Sequence, residues 1–126
     1  MTTSSVAPSR PQVGIVGPCA AGKTTLVAGL RQHGFTVRHI AQEHSYVKDM
    51  WLRLVHPDVL IYLDVSYPVT LARRRIDWNE AEYRIQIDRL AHARQHADLY
   101  LLTDDLSPQA VLAQVLEFLS QTGLYP

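Results

Sequence analysis

The stretch that decides the fold reads VGIVGPCAAGKTT and runs from residue 13 to residue 25. Residues 17–24 match the pattern G-x-x-x-x-G-K-[ST] at every specified position. A short apolar run, residues 13–16, comes directly before the pattern and suits a buried strand of a parallel sheet. Apolar residues then recur at helical spacing over residues 24–33, and Gly34 ends the predicted helix. A strand, a glycine-rich loop and a helix in this order predict an anion-binding loop, or P-loop.

The residue types of this loop suit the phosphates of a nucleoside triphosphate. Inward-pointing N–H groups need dihedral angles that glycine tolerates best, and the start of the helix adds the positive end of its dipole. Lys23 is expected to reach the β- and γ-phosphates, Thr24 to ligate Mg²⁺, and Thr25 to lie near the α-phosphate. Cys19 is either a small residue that fills the loop or a thiol activated by the neighbouring amides. The predicted nucleotide-binding residues of the segment are Gly17, Pro18, Cys19, Ala20, Ala21, Gly22, Lys23, Thr24 and Thr25.

Composition sets the class of protein. The chain has 126 residues, which predicts one domain, and 47% of them are hydrophobic, which is typical of a globular fold. Twelve basic and twelve acidic residues balance to a formal charge of zero, which argues against nucleic acid as a partner. The single cysteine predicts a reducing, cytoplasmic setting, and we expect neither a signal peptide nor a membrane span. Residues 1–11 are predicted to be a disordered tail and residues 12–126 the nucleotide-binding domain.

Strands and helices alternate along the rest of the chain. The strongest strand signal is the run VLIYLDV at residues 59–65, and Ser107 followed by Pro108 predicts the start of the last helix. The alternation predicts an α/β protein with three layers, α/β/α, in which helices cover both faces of a short parallel sheet. The predicted strands are 13–16, 35–41, 59–65 and 99–103. The predicted helices before the last one are 24–33, 46–55, 68–76 and 78–96, and the helix over 78–96 is either separate or a continuation of the helix over 68–76 through a bend.

Two later segments carry a resemblance to kinases. HPDVLIYLDVSYPVTLARRR, residues 56–75, is similar to a segment of thymidylate kinases in which Pro-Asp precedes a strand ending Tyr-Leu-Asp-Val. RLAHARQHADLYLLTDDLSPQAVLAQVLEFL, residues 89–119, resembles the end of shikimate kinases. Together with the loop, these segments make the chain resemble the nucleotide and small-metabolite kinases of the P-loop superfamily. The resemblance implies a four-stranded sheet in the order 2-1-3-4.

The same resemblance implies roles for polar residues. One of Arg73, Arg74 and Arg75 would stack on adenine or contact the phosphates, as arginines of the lid helix do in those kinases. Arg89 would occupy the position of the later arginine near the nucleotide. The loop of residues 103–107, which includes Asp104, would lie against the base.

The chain also departs from these kinases. They carry an acceptor-binding insert after the first helix, whereas here Gly34 leads straight into Phe35. The lid is short, because only residues 76–80 separate the arginines from the next helix. A homo-oligomer or a protein partner could supply the missing parts.

Two carboxylates compete for the magnesium role. Asp64 ends an apolar run, as the aspartate of a Walker B strand does. The alternative interpretation is that its side chain caps the following turn. The kinase resemblance favours Glu43, in the segment Gln42-Glu43-His44, where those kinases carry an acidic residue. Both residues therefore remain candidate metal ligands, alongside Thr24, and candidate catalytic groups, alongside Lys23 and Arg74.

The predicted function is that of a small phosphotransferase which uses ATP and Mg²⁺ on an unidentified small metabolite. The alternative is a nucleotide-binding module with little or no hydrolysis. His92 and His96 lie at helical spacing, but with no third ligand in view a zinc site there is disfavoured. The guanine-recognition pattern Asn-Lys-x-Asp is absent from the sequence.

Overall fold

The computed structural model describes residues 11–74 and 77–126. Residues 1–10 of the predicted tail lie outside the described residues, and so does Arg75 of the arginine triplet.

The sheet has four parallel strands in the order β2-β1-β3-β4. The strands are β1 (Gln12–Val16), β2 (Thr36–His39), β3 (Val59–Asp64) and β4 (Leu99–Leu102). The predicted order 2-1-3-4 is confirmed, and the strand before the glycine-rich loop lies inside the sheet. All four carboxyl ends lie at one edge of the sheet, which is where ligands bind in open α/β folds.

Helices lie in the connections between the strands, and one more follows the last strand. They are α1 (Lys23–Gln32), α2 (Met50–Val55), α3 (Tyr67–Arg74), α4 (Glu80–Arg89), α5 (Ala91–His96) and α6 (Pro108–Gln121). A single 3₁₀ turn, Gln42–His44, follows β2. Helix α6 begins as predicted, because the Ser107 side chain accepts the N–H of Ala110 at 3.0 Å.

Side chains on the two faces of the sheet form two separate cores. On one face, Val13, Ile15 and their neighbours on β3 pack against α1 and α6. On the other face, Leu60 and Tyr62 pack against Trp51 of α2 and against residues 90–93. The sheet is therefore covered on both sides, in three layers. Each fully buried aliphatic side chain contributes about 1.5–3 kcal/mol, so both faces matter for stability.

The predicted helix over residues 46–55 is too long at its amino end. Residues 45–49 form turns, in which the Ser45 hydroxyl accepts the N–H of Val47 at 3.1 Å. Tyr46 is 86% exposed, so the apolar side chain that suggested a helical stripe packs against no core. Periodicity alone does not distinguish a buried stripe from exposed apolar residues in a turn.

The predicted helix over residues 78–96 is two helices. Asn79 caps α4 with a capping box, in which its side chain accepts the N–H of Glu82 at 2.9 Å. Leu90, fully buried in the second core, separates α4 from α5. The break turns α5 onto the sheet, and this places residue 93 in the same core.

Candidate phosphate-binding site

The loop between β1 and α1 is shaped by positive backbone dihedral angles. Gly17 has φ 152°, Ala20 φ 70° and Gly22 φ 99°. A Cβ at Gly17 would overlap the carbonyl oxygen of Leu63, so only glycine fits at this turn. Helix α1 begins at Lys23. Its first-turn N–H groups therefore have no partner within the helix, and they lie beside the loop.

Lys23 is buried at the centre of this site. Its Nζ lies 2.6 Å from Oε2 of Glu43, and the two side chains are 6% and 5% exposed. The ammonium also donates to the carbonyl of Gly17 and, at 3.3 Å, to that of Pro18. The other carboxylate oxygen of Glu43, Oε1, is buried and has no hydrogen-bond partner in the described part of the chain. Glu43 thus has one oxygen paired with Lys23 and one buried oxygen without a hydrogen-bond partner.

A cleft of about 280 Å³ lies in front of the loop. Residues 18–24 form one wall, and His39, Glu43, His44 and Arg74 complete the lining. Partial burial, and then the positive charge of Lys23, hold the pKa of His39 below its ordinary value. With helix-end amides, Lys23 and Arg74 around it, the cleft is suited to an anion of the size of a polyphosphate chain.

Asp64 lies outside the lining of this cleft. Its Oδ1 accepts the N–H of Val65 at 2.9 Å, and its Oδ2 accepts the hydroxyl of Tyr100 at 2.5 Å. Burial, and then this hydrogen bond, raise the pKa of Tyr100 to about 12. Both oxygens of Asp64 are therefore occupied within the fold, and the bond to Val65 is the contact expected of a cap. Of the two candidate carboxylates, the structure brings Glu43 to Lys23.

Arg73 and Arg74 lie in different surroundings. Arg73 donates through Nη1 to the carbonyl of Ala20 at 3.0 Å and to the hydroxyl of Thr103 at 2.9 Å, and through Nη2 to the carbonyl of Thr103. It thereby ties α3 to the loop and to the end of β4. Arg74 instead lines the cleft in front of the loop.

A second cleft, of about 300 Å³, lies behind the loop and has a mostly apolar lining. The polar side chains that line this second cleft are those of Thr25, Arg73 and Thr103. Asp104, predicted to lie against a base, points elsewhere, since its Oδ1 accepts the N–H of Ser66 at 2.9 Å. The rest of the lining comprises Ala20, Ala21, Gly22, Leu26, Leu106, Pro108 and Val111.

A third, more open cleft of about 530 Å³ lies between α4 and the turn after the 3₁₀ segment. Arg89, predicted to lie near the nucleotide, is found here. Its guanidinium stacks on the ring of Tyr46, 4.4 Å from the centroid, and donates to the carbonyl of Glu43 at 3.3 Å. The remaining lining residues are Lys48, Ala81, Arg84, Ile85 and Asp88.

Two buried glutamines that the sequence did not single out hold the site together. Gln42 accepts the N–H of Trp51 at 2.8 Å and donates to the carbonyls of Val47 and Arg89 at 2.9 and 3.2 Å. Gln86 accepts the N–H of Cys19 at 3.0 Å and donates to its sulfur at 3.2 Å. Glutamine is usually exposed, and no spacing pattern marks a buried one.

The two histidines of α5 have contacts within the fold. Nδ1 of His92 lies 3.1 Å from the indole nitrogen of Trp51, and the rings of His92 and His96 stack with centroids 4.3 Å apart. No helix in residues 11–74 or 77–126 is both long and apolar enough to cross a membrane.

The fold is similar to that of the YorR protein from Bacillus subtilis, whose crystal structure is a complex with phosphorylated GDP. The two chains are 12% identical, the TM-score is 0.63, and the match covers 91% of this chain and 99% of that one. At this level of identity the likeness establishes a shared α/β fold. No protein-family model matches the sequence, and no curated protein matches it.

Proposed function

We propose that this protein is a small phosphotransferase that binds ATP with Mg²⁺ in the loop of residues 17–24. The observation that carries the proposal is the buried Lys23–Glu43 pair, 2.6 Å apart, at the start of α1 and on the wall of a cleft that Arg74 also lines. A buried lysine beside free helix-end amides is an arrangement that phosphate chemistry uses. The fold shared with YorR, which was crystallised with phosphorylated GDP, supports nucleotide binding.

The three clefts suggest how the substrates lie. The phosphates would occupy the cleft in front of the loop, and the base the apolar cleft behind it. The N–H groups of Arg73 donate to main-chain carbonyls and to the Thr103 hydroxyl. The face of its planar guanidinium is therefore the part available to stack on a base. Guanine needs an acceptor for its N1 and N2 hydrogens, and the described lining of this cleft contains no carboxylate. This favours adenine, in line with the missing Asn-Lys-x-Asp pattern.

The donor set also fits magnesium. The hydroxyl of Thr24 and the carboxylate of Glu43 offer hard oxygen ligands, which Mg²⁺ prefers, and both residues line the cleft. When bound there, the ion would neutralise charge on the phosphates.

The third cleft is the proposed acceptor site. The hydrogen bond from Arg89 to the carbonyl of Glu43 places it next to the phosphate cleft. An acceptor hydroxyl would attack the γ-phosphorus, the bond to the β–γ bridging oxygen would break, and ADP would leave. The hydroxyl proton would pass to water in the cleft, while Lys23 and Arg74 offset the charge on the transferred group.

The second candidate is a nucleotide-binding module without transfer activity. It is favoured by the direct passage from α1 through Gly34 into β2, which leaves no room for the acceptor insert of the kinases that the chain resembles. In this case nucleotide would bind with ordinary affinity, but no acceptor would stimulate its turnover.

The test combines binding with turnover. Titration calorimetry measures affinity for ATP and GTP with Mg²⁺, and a coupled ADP-release assay is run over panels of nucleosides and sugars. We expect turnover stimulated by an acceptor, strongly reduced in Glu43→Gln and retained in the matched variant Asp64→Asn. Tight ATP binding with turnover unaffected by either change would establish the non-catalytic module instead. Absence of triphosphate binding would overturn both functions.

A further inference from the structure

Three side chains of different chemistry meet at the rim of the phosphate cleft. The sulfur of Cys19, a carboxylate oxygen of Glu43 and a ring nitrogen of His44 all lie within 4.8 Å of one another. Cys19 comes from the loop after β1, whereas Glu43 and His44 come from the 3₁₀ turn after β2. The parallel sheet brings these two connections together because β1 and β2 are neighbours.

Glu43 supplies an independent sign that a ligand belongs here. The residue is 3% exposed, and its Oε1 has no hydrogen-bond partner among the described residues. A buried carboxylate oxygen without a partner carries its full desolvation cost, about 1–3 kcal/mol or more for a charged group. The other oxygen, Oε2, lies 2.6 Å from the ammonium of Lys23 and 3.9 Å from Nε2 of His44, so the carboxylate borders both the lysine and the exposed imidazole.

We propose that, in the chain without bound nucleotide, Cys19, Glu43 and His44 bind a thiophilic divalent ion, with zinc as the best fit. Thiolate, imidazole and carboxylate are the ligands that zinc accepts, whereas magnesium and calcium reject sulfur. From zinc bond lengths, ligand atoms around a tetrahedral ion lie about 3.3–3.8 Å apart. The ligand atoms lie within 4.8 Å of one another, so the largest contraction that zinc requires is about 1–1.5 Å.

The three residues can make this adjustment. The side chain of His44 is 61% exposed, so its ring can turn without displacing the core. Cys19 is oriented by Gln86, which contacts both its N–H and its sulfur, as residues behind a metal ligand commonly do. Three protein ligands leave the fourth position open toward the cleft, which is the pattern of a reactive rather than a purely structural zinc site.

Cobalt(II) provides the direct test, because a cobalt–thiolate bond absorbs in the near ultraviolet and zinc can displace the cobalt. The protein is used as the full chain, free of any histidine tag and without nucleotide. We expect a thiolate-to-cobalt band at one ion per chain. Cys19→Ser should abolish the band, and His44→Ala should weaken affinity at least about 10-fold. The matched control is His96→Ala, which removes an exposed histidine of α5 and should leave binding unchanged.

Three results would overturn the proposal: no thiolate band with the native chain, a band that survives Cys19→Ser, or a loss of affinity in His96→Ala equal to that in His44→Ala. Since His44 is exposed, that variant is expected to fold even if Cys19→Ser does not. The ATP affinity of the same variants, measured without zinc or cobalt, separates failure of this site from failure of the proposed function.

Discussion

At the scale of single residues, the pair formed by Lys23 and Glu43 dominates the site. Both side chains are almost fully buried, so each charge depends on the other for compensation. Lys23 also donates hydrogen bonds to two carbonyl oxygens of the loop, and these bonds hold its ammonium at the start of α1. A triphosphate in the cleft would meet a lysine that is already positioned, at the cost of sharing it with Glu43.

Removing one partner of this pair should have a different effect from removing both. Lys23→Met leaves a buried carboxylate unpaired, and we expect it to lower the free energy of unfolding by about 3–5 kcal/mol. Lys23→Met with Glu43→Gln removes both charges, so its stability should return to within about 1 kcal/mol of the native value. Urea denaturation of the native chain, the two single variants and the double variant measures this coupling.

ATP affinity should not recover in the double variant, because the phosphates still lack the lysine. Stability restored without affinity would show that Lys23 serves the ligand as well as the fold. Native ATP affinity in the double variant would contradict the assignment of the loop as the phosphate site.

At the scale of elements, α3 carries two adjacent arginines with separate tasks. Arg73 donates hydrogen bonds that tie the helix to Ala20 and Thr103, whereas Arg74 lines the cleft in front of the loop. Residues next to each other on a helix point about 100° apart, which explains the difference.

The two arginines should therefore give opposite results on substitution. Arg73→Ala is expected to lower the free energy of unfolding by about 2 kcal/mol, since charged hydrogen bonds are lost. Arg74→Ala should change stability by less than about 0.5 kcal/mol but weaken ATP affinity about 10-fold, which corresponds to one lost phosphate contact. Thermal melting and calorimetry on both variants separate these outcomes. Equal loss of affinity with unchanged stability in both would show that Arg73 also faces the ligand.

The sequence predicted the elements better than it predicted contacts between them. The apolar residues of β1 and β3 are buried on both faces of the sheet. Strands buried in this way have continuous apolar sequences, which is why the sequence predicted them. The start of α6 was predicted from Ser107 and Pro108 for an equally local reason. The shortened α2 and the break at Leu90 depend on what packs against them, and periodicity carries no information on that.

The same limit applies to the candidate site. The loop is a local pattern, so its residues could be proposed from the sequence directly. Asp64 contributes nothing to the cleft, because Tyr100 on another strand and the N–H of Val65 take up its two oxygens, and the contact with Tyr100 cannot be predicted from the sequence around Asp64. Gln86 contacts Cys19 across 67 positions of sequence, and nothing in either segment indicates the other.

At the scale of the whole molecule, the cleft in front of the loop joins parts that are distant in sequence. Its lining combines the loop after β1, the turn after β2 and the end of α3. A ligand in this cleft would therefore contact three separate segments at the same edge of the sheet. Its binding energy would add to the free energy of unfolding of the entire domain.

Nucleotide should consequently raise the melting temperature of the whole chain. At an ATP concentration 100 times its dissociation constant, with Mg²⁺ present, mass action adds about 2.7 kcal/mol to the free energy of unfolding. For a domain of this size we expect a rise of roughly 10 °C, measured by differential scanning calorimetry. The control is the Lys23→Met, Glu43→Gln double variant, which is expected to fold but to show no rise with ATP. A rise of equal size in this variant would mean that ATP stabilises the chain from a site other than the loop, and a rise in the native chain with adenosine alone would assign the binding energy to the base cleft.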